Sequence, residues 1–114
     1  MGECKETRKF CRALEAQGAA TYPAVASEMS PLGWPDRFIG HRRWTGWVEF
    51  KAWAGRVSGE QETQLGRLRA ASVPAYVVRF SEDWSQLRLE DPDGTVRSGW
   101  VRWGLFFDEV TELV

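Results

Sequence analysis

The apolar positions along the 114-residue chain fall into short segments whose period changes several times. Residues 2–17 place Phe10, Leu14 and Gln17 at three-to-four spacing, with Cys4 and Cys11 beside them, which predicts an amphipathic helix ending at Gly18. AATYPAV predicts a short strand and ASEMSPLG a loop. Arg37–Gly40, the turn GHRRWTG and Trp47–Ala52 predict an antiparallel hairpin. SGEQETQLGRLRAA predicts a second helix. Ser58 and Gln61 form a capping-box pair, and Leu65, Leu68 and Ala71 form the buried stripe. PAYVVRF reads as a strand, QLRLEDPDGTVRSG as a hairpin turning at DPDG, GWVRW as a further strand and LFFDEVTELV as a short closing helix. The order is helix, three-stranded antiparallel meander, helix, strand, then an appended hairpin and helix. An α/β sheet with a helix on each side buries both amphipathic helices.

Composition narrows this picture. A hydrophobic fraction of 43% and seven tryptophans support one packed core and exclude a disordered chain. No apolar run approaches the length of a membrane span, and MGECKETRK has no apolar signal region, so a cytoplasmic protein is expected. Cys4 and Cys11 lie two helical turns apart, about 10 Å of rise, too far for a disulfide, and both are expected to face the core. Net charge is −1, which excludes a protein that grips nucleic acid with its whole surface. Residues 36–56 are nevertheless locally basic: Arg37, Arg42, Arg43, Lys51 and Arg56 outnumber Asp36 and Glu49.

The hairpin carries the candidate chemistry. Strand alternation places Trp47, Glu49 and Lys51 on one face and Val48 and Phe50 on the other. Asp36 opens the partner strand, so the returning chain brings it beside Glu49 and Lys51. Two adjacent carboxylates repel unless a cation compensates. Mg²⁺ suits such oxygen donors, and the Phe50 carbonyl offers a third. A lysine beside a metal-bound water can orient the nucleophile or stabilise charge on a pentavalent phosphate. Against this stands a plain Glu49–Lys51 surface pair, with Asp36 merely starting a strand.

GWPD, WVEFK, VSGEQ and AYVVR, in this order from about residue 3 to residue 80, resemble the PD-(D/E)XK nuclease superfamily, and most of all its virus-type replication–repair nuclease domains. The resemblance implies a restriction-endonuclease-like core over residues 1–80, with 81–114 as an extension of the same domain. It implies Mg²⁺ or Mn²⁺ on Asp36, Glu49, the Phe50 carbonyl and a first-helix glutamate. Glu3 matches that glutamate better than Glu6. Catalytic roles fall to Asp36, Glu49, Lys51 and Gln61, the last alternatively only a cap. Arg37, His41, Arg42, Arg43 and Arg56 are candidate DNA contacts, while Trp34 and Trp44 serve either stacking on bases or packing. The implied function is a metal-dependent DNA endonuclease selective for branched DNA such as four-way junctions. It would act as a homodimer in a bacterial cytoplasm, encoded by the cell or a phage. The apolar run WVRWGLFF is available for that dimer or for the core. The alternative is a catalytically silent, nuclease-derived module that binds DNA or protein.

Overall fold

The computed structural model describes residues 4–24 and 32–113. Helix α1 (Lys5–Ala16) leads to strands β1 (Ala20–Pro23), β2 (Arg37–Gly40) and β3 (Thr45–Lys51). Helix α2 (Gly59–Ala70) follows, then β4 (Ala75–Phe80), β5 (Gln86–Glu90), β6 (Val101–Arg102), a 3-10 turn (Trp103–Leu105) and α3 (Phe106–Val110). The six strands form one sheet in chain order. Every neighbouring pair is antiparallel except β3 and β4. That pair is parallel because α2 carries the chain back between them, the connection a parallel pair requires. The expected mixed architecture, an antiparallel meander followed by helix and strand, is the one observed.

The sheet is covered on both faces. One face buries Val48, Phe50, Tyr76, Val78, Phe80, Leu87 and Leu89 against Phe10 and Leu14 of α1 and Phe106, Phe107 and Val110 of α3. Phe10 is its centre and meets Phe50, Phe80, Trp103 and Phe106 edge-on. Half of the run WVRWGLFF is therefore core: Phe106 and Phe107 are buried, Val101 packs beside them in the same cluster, and Trp103 meets Phe10 and Phe80 edge-on, while Leu105 stays exposed. Trp44 also packs here, against Tyr76 and Phe106. The opposite face carries the smaller α2 layer, in which Leu65 packs on Ala75 and Val77 with Trp47, Val57 and Leu68 around them.

Three expectations are corrected. Cys4 is exposed at the N-cap of α1, so only Cys11 faces the core. Ala71 is the exposed C-cap of α2, one residue past the turn that reaches the sheet, so the stripe ends at Leu68. The second hairpin turns at DPDG, but its return arm makes a single bridge, Glu90 to Val96, instead of a strand. The Ser98 hydroxyl accepts the Leu89 N–H at 2.9 Å and so takes a ladder donor; regular pairing resumes only at β6. Phe10→Ala removes the ring that joins both helices to the sheet. It is expected to cost about 3–5 kcal/mol, read as a lower midpoint in urea denaturation.

Candidate active site

The end of the β2–β3 hairpin away from its turn gathers the charged residues. The last register pair is Arg37 with Val48, so Asp36 lies one step beyond the strand, opposite Glu49. Asp36 Oδ2 accepts the Phe50 N–H at 2.8 Å. Along β3 the backbone groups alternate in direction: the Trp47 N–H bonds to the Pro74 carbonyl on the β4 side. Phe50 thus turns both its N–H and its carbonyl toward the side where β2 has ended and Asp36 stands. The Glu49 side chain projects onto the α2 face and is only 2% exposed.

Glu49 Oε2 accepts the Gln61 amide at 2.7 Å and lies 3.6 Å from Lys51 Nζ. Glu49 Oε1 is buried and has no partner among the described residues. Burial, then repulsion from Asp36, pushes the Glu49 carboxyl up to about 8, with Lys51 opposing. An orphaned buried acceptor beside a second carboxylate is an arrangement that a cation completes. The donors are hard oxygens and fit Mg²⁺ or Mn²⁺: the carboxylates of Asp36 and Glu49 and the Phe50 carbonyl. Among the described residues no cluster of three or more acidic, histidine or cysteine side chains stands ready for a metal. Glu3 lies outside the described residues, and its competitor Glu6 pairs with Lys9 at 3.4 Å.

Gln61 serves as cap and site residue at once. Its carbonyl oxygen accepts the Ser58 N–H at 2.9 Å, which leaves the amide nitrogen for Glu49. The first turn of α2 is thereby locked to β3. Gly33 presses on the same turn. It has φ +83°, and an added Cβ would overlap the backbone of Glu60 and Gln61. In GWPD, glycine allows the close approach, Trp34 packs edge-on against Trp47, and aspartate arrives at Phe50.

The fold matches that of a solved resolvase. It aligns with Hjc, a Holliday junction resolvase from the archaeal hyperthermophile Archaeoglobus fulgidus, at a TM-score of 0.62 and 18% identity, over 96% of this chain and 97% of that one. The likeness is one of fold. It takes in most of the segment after residue 80, which the sequence motifs left outside the resemblance. No protein-family model matches the sequence, and no curated protein matches it.

The remaining predicted contacts separate. Arg37 is 8% exposed and, paired with Val48, points to the α1 face away from Glu49. Arg42 and Arg43 are not beside the carboxylates: they occupy the closed end of the hairpin, on the order of 15 Å away at strand rise. Arg43 pairs there with Asp108 at 2.8 Å. His41 is committed to structure. Its Nδ1 accepts the Arg43 N–H, its Nε2 bonds to the Gln17 carbonyl at 2.9 Å, and its ring stacks on Phe107 at 3.8 Å. Arg56 is exposed in the β3–α2 loop, at the site end.

Sequence reasoning missed Arg79. It lies in register with Lys51 and donates to the carbonyls of Ala52, Trp53 and Gly55 at 2.9, 3.3 and 2.7 Å. Its Nε bonds to buried Glu90 at 2.8 Å. The signal was a lone arginine in the otherwise apolar AYVVRF.

Between the unfolded carboxyl value near 4.5 and the folded value near 8, the folded chain holds a proton on Glu49 that the unfolded chain has released. In EDTA, stability should therefore fall as pH rises through that window, by up to about 1.4 kcal/mol per pH unit. Glu49→Gln should flatten the dependence in urea titrations taken at several pH values. Gly33→Ala should displace the first turn of α2, costing roughly 1–3 kcal/mol of stability. The Gln61 side-chain amide resonance, which reports its bond to Glu49, should shift in that variant.

Proposed function

We propose that this chain is a Mg²⁺- or Mn²⁺-dependent DNA endonuclease of the PD-(D/E)XK superfamily, of the virus-type replication–repair kind, acting on branched DNA such as four-way junctions. The observation that carries this reading is the meeting of Asp36, Glu49, Lys51 and Gln61 at one corner of a resolvase-like sheet. A divalent cation bound by Asp36, Glu49 and the Phe50 carbonyl would supply Lewis-acid charge for hydrolysis of a phosphodiester. Gln61 orients the Glu49 carboxylate through its 2.7 Å bond. The Phe50 N–H fixes one carboxylate oxygen of Asp36. Lys51, largely buried and 3.6 Å from Glu49, offers its ammonium to the attacking water or to the charge that develops on the phosphate.

Branch selectivity is supported by the resolvase-like fold and by the placement of the helices among the described residues: α1 and α3 are packed on the larger core, and α2 is tied to the site. A homodimer is part of the proposal because symmetric cuts in a junction need two sites at fixed separation. Val101, Trp103, Phe106 and Phe107 of the WVRWGLFF run pack in the core, so the dimer is proposed from that symmetry and not from an uncovered patch. A bacterial or phage protein working in the cytoplasm fits this reading, and no helix among the described residues is long and apolar enough to cross a membrane.

Purified protein is expected to cut four-way junction DNA in Mn²⁺ faster than a matched linear duplex. Asp36→Ala and Lys51→Ala should each reduce the rate by roughly 10²-fold or more. Cleavage that survives in both variants would refute the site. DNA binding without cleavage in either metal would favour the silent binding module. Light scattering of a junction complex should give the mass of two chains, and a single chain would exclude the dimer.

A further inference from the structure

A second group of residues lies on the same face of the sheet, one step along from the carboxylates. Lys51 on β3 is in register with Arg79 on β4, and Arg79 with Arg88 on β5. The β5–β6 register, continued by one step, brings Trp100 beside Arg88, whose guanidinium lies 4.7 Å over the Trp100 ring. Trp53 leans over this row from the loop after Lys51. Its ring is 5.6 Å from that of Trp100, and its carbonyl is held by Arg79. Glu90 accepts from both Arg79 and Arg88, at 2.8 and 2.9 Å, and fixes the row from below. Glu90 thus pairs with the two arginines of the row, while Lys51 pairs with Glu49.

Trp53 is the anomaly in this arrangement. The other tryptophans are all partly buried, whereas Trp53 leaves 48% of its surface in water, two residues from the candidate catalytic lysine. Its backbone is pinned through Arg79, so the ring is presented by a fixed loop. An aromatic face next to guanidinium groups fits a nucleobase whose own phosphates are negative. In a continuous duplex both faces of each base are covered by neighbours, and only a base unstacked at a branch or gap has a face to offer.

We propose that Trp53, set against Trp100 and the Lys51–Arg79–Arg88 row, is a stacking ledge for an unstacked nucleobase at a DNA branch point, and that it determines the preference for branched DNA. The inference rests on the nuclease reading above and names the substrate feature that the same site selects. Lys51 and Arg88 hold the flanking phosphates, Arg79 fixes the loop that presents Trp53, and the ledge places the branch point beside Asp36 and Glu49.

The test uses branched DNA with 2-aminopurine at the nucleotide nearest the branch, and a fully paired duplex of the same sequence, in EDTA so that nothing is cut. The 114-residue chain should quench the probe in the branched DNA. Trp53→Ala should abolish the quench and lower the branched-over-paired affinity ratio roughly tenfold, while Trp53→Phe should keep most of both. An unchanged ratio in Trp53→Ala, or an equal loss on both DNAs, overturns the ledge. In Mn²⁺ the cleavage preference should drop in parallel. If the native protein cuts branched DNA and Trp53→Ala keeps the full preference, the ledge fails and the nuclease reading stands. If the native protein neither binds nor cuts any DNA, both fail. A dimer that dissociates on Trp53→Ala without DNA present would mean that a second chain covers the ring, which also overturns the proposal.

Discussion

Gln61 bonds in two directions, and the candidate site depends on both. Its carbonyl closes the cap of α2 at Ser58, and its amide reaches the buried carboxylate of Glu49. A carboxylate as deeply buried as Glu49 is costly to ionise unless donors or cations surround it. Gln61 is one such donor and Lys51 a second, more distant one. The position of α2 over the sheet is thereby tied to the state of one side chain. Gly33 presses the loop before Asp36 onto the same helical turn, so both carboxylates are referred to one piece of backbone.

The sheet divides the work between its faces. The larger core, centred on Phe10, lies on one side and supplies most of the buried apolar area. The α2 side has a thin apolar layer of Leu65, Ala75 and Val77 and gives the rest of its surface to charge. Glu49, Lys51, Arg79, Arg88 and Glu90 all project there. Charged side chains at consecutive cross-strand positions are tolerable because they alternate in sign between rows and because Glu90 joins two arginines. Most of the apolar packing lies on one face and the charged groups of the candidate site lie on the other, an arrangement that holds those groups in place before any ligand arrives.

Several parts of this arrangement were legible in the residues themselves. Strand alternation alone separates Glu49 and Lys51 from Val48 and Phe50, because the period of two is a property of any extended chain. The capping box named both Ser58 and Gln61, because its hydrogen bonds span only three residues. The apolar spacing of Phe10 and Leu14 marked the buried face of α1. The order of GWPD, WVEFK and VSGEQ pointed to the corner where Asp36, Glu49 and Gln61 meet.

Other features were decided only when distant segments met. That Gln61 is a cap and a Glu49 partner together depends on where α2 lands, and either bond alone reads the same in sequence. Arg42 and Arg43 look close to the carboxylates along the chain, but a hairpin carries its turn and its open end to opposite sides. Arg37 sits next to Asp36 in sequence and faces the other side of the sheet. His41 looked like a surface residue until α1 and α3 closed on it. The row of Lys51, Arg79, Arg88 and Trp100 draws on three strand positions and the residue just before β6, spread over fifty residues of sequence, and only the register of the folded sheet aligns them. Local hydrogen bonding and side-chain period are written within a few residues, whereas the pairing of separate strands and the landing of a helix depend on contacts that no short window of sequence contains.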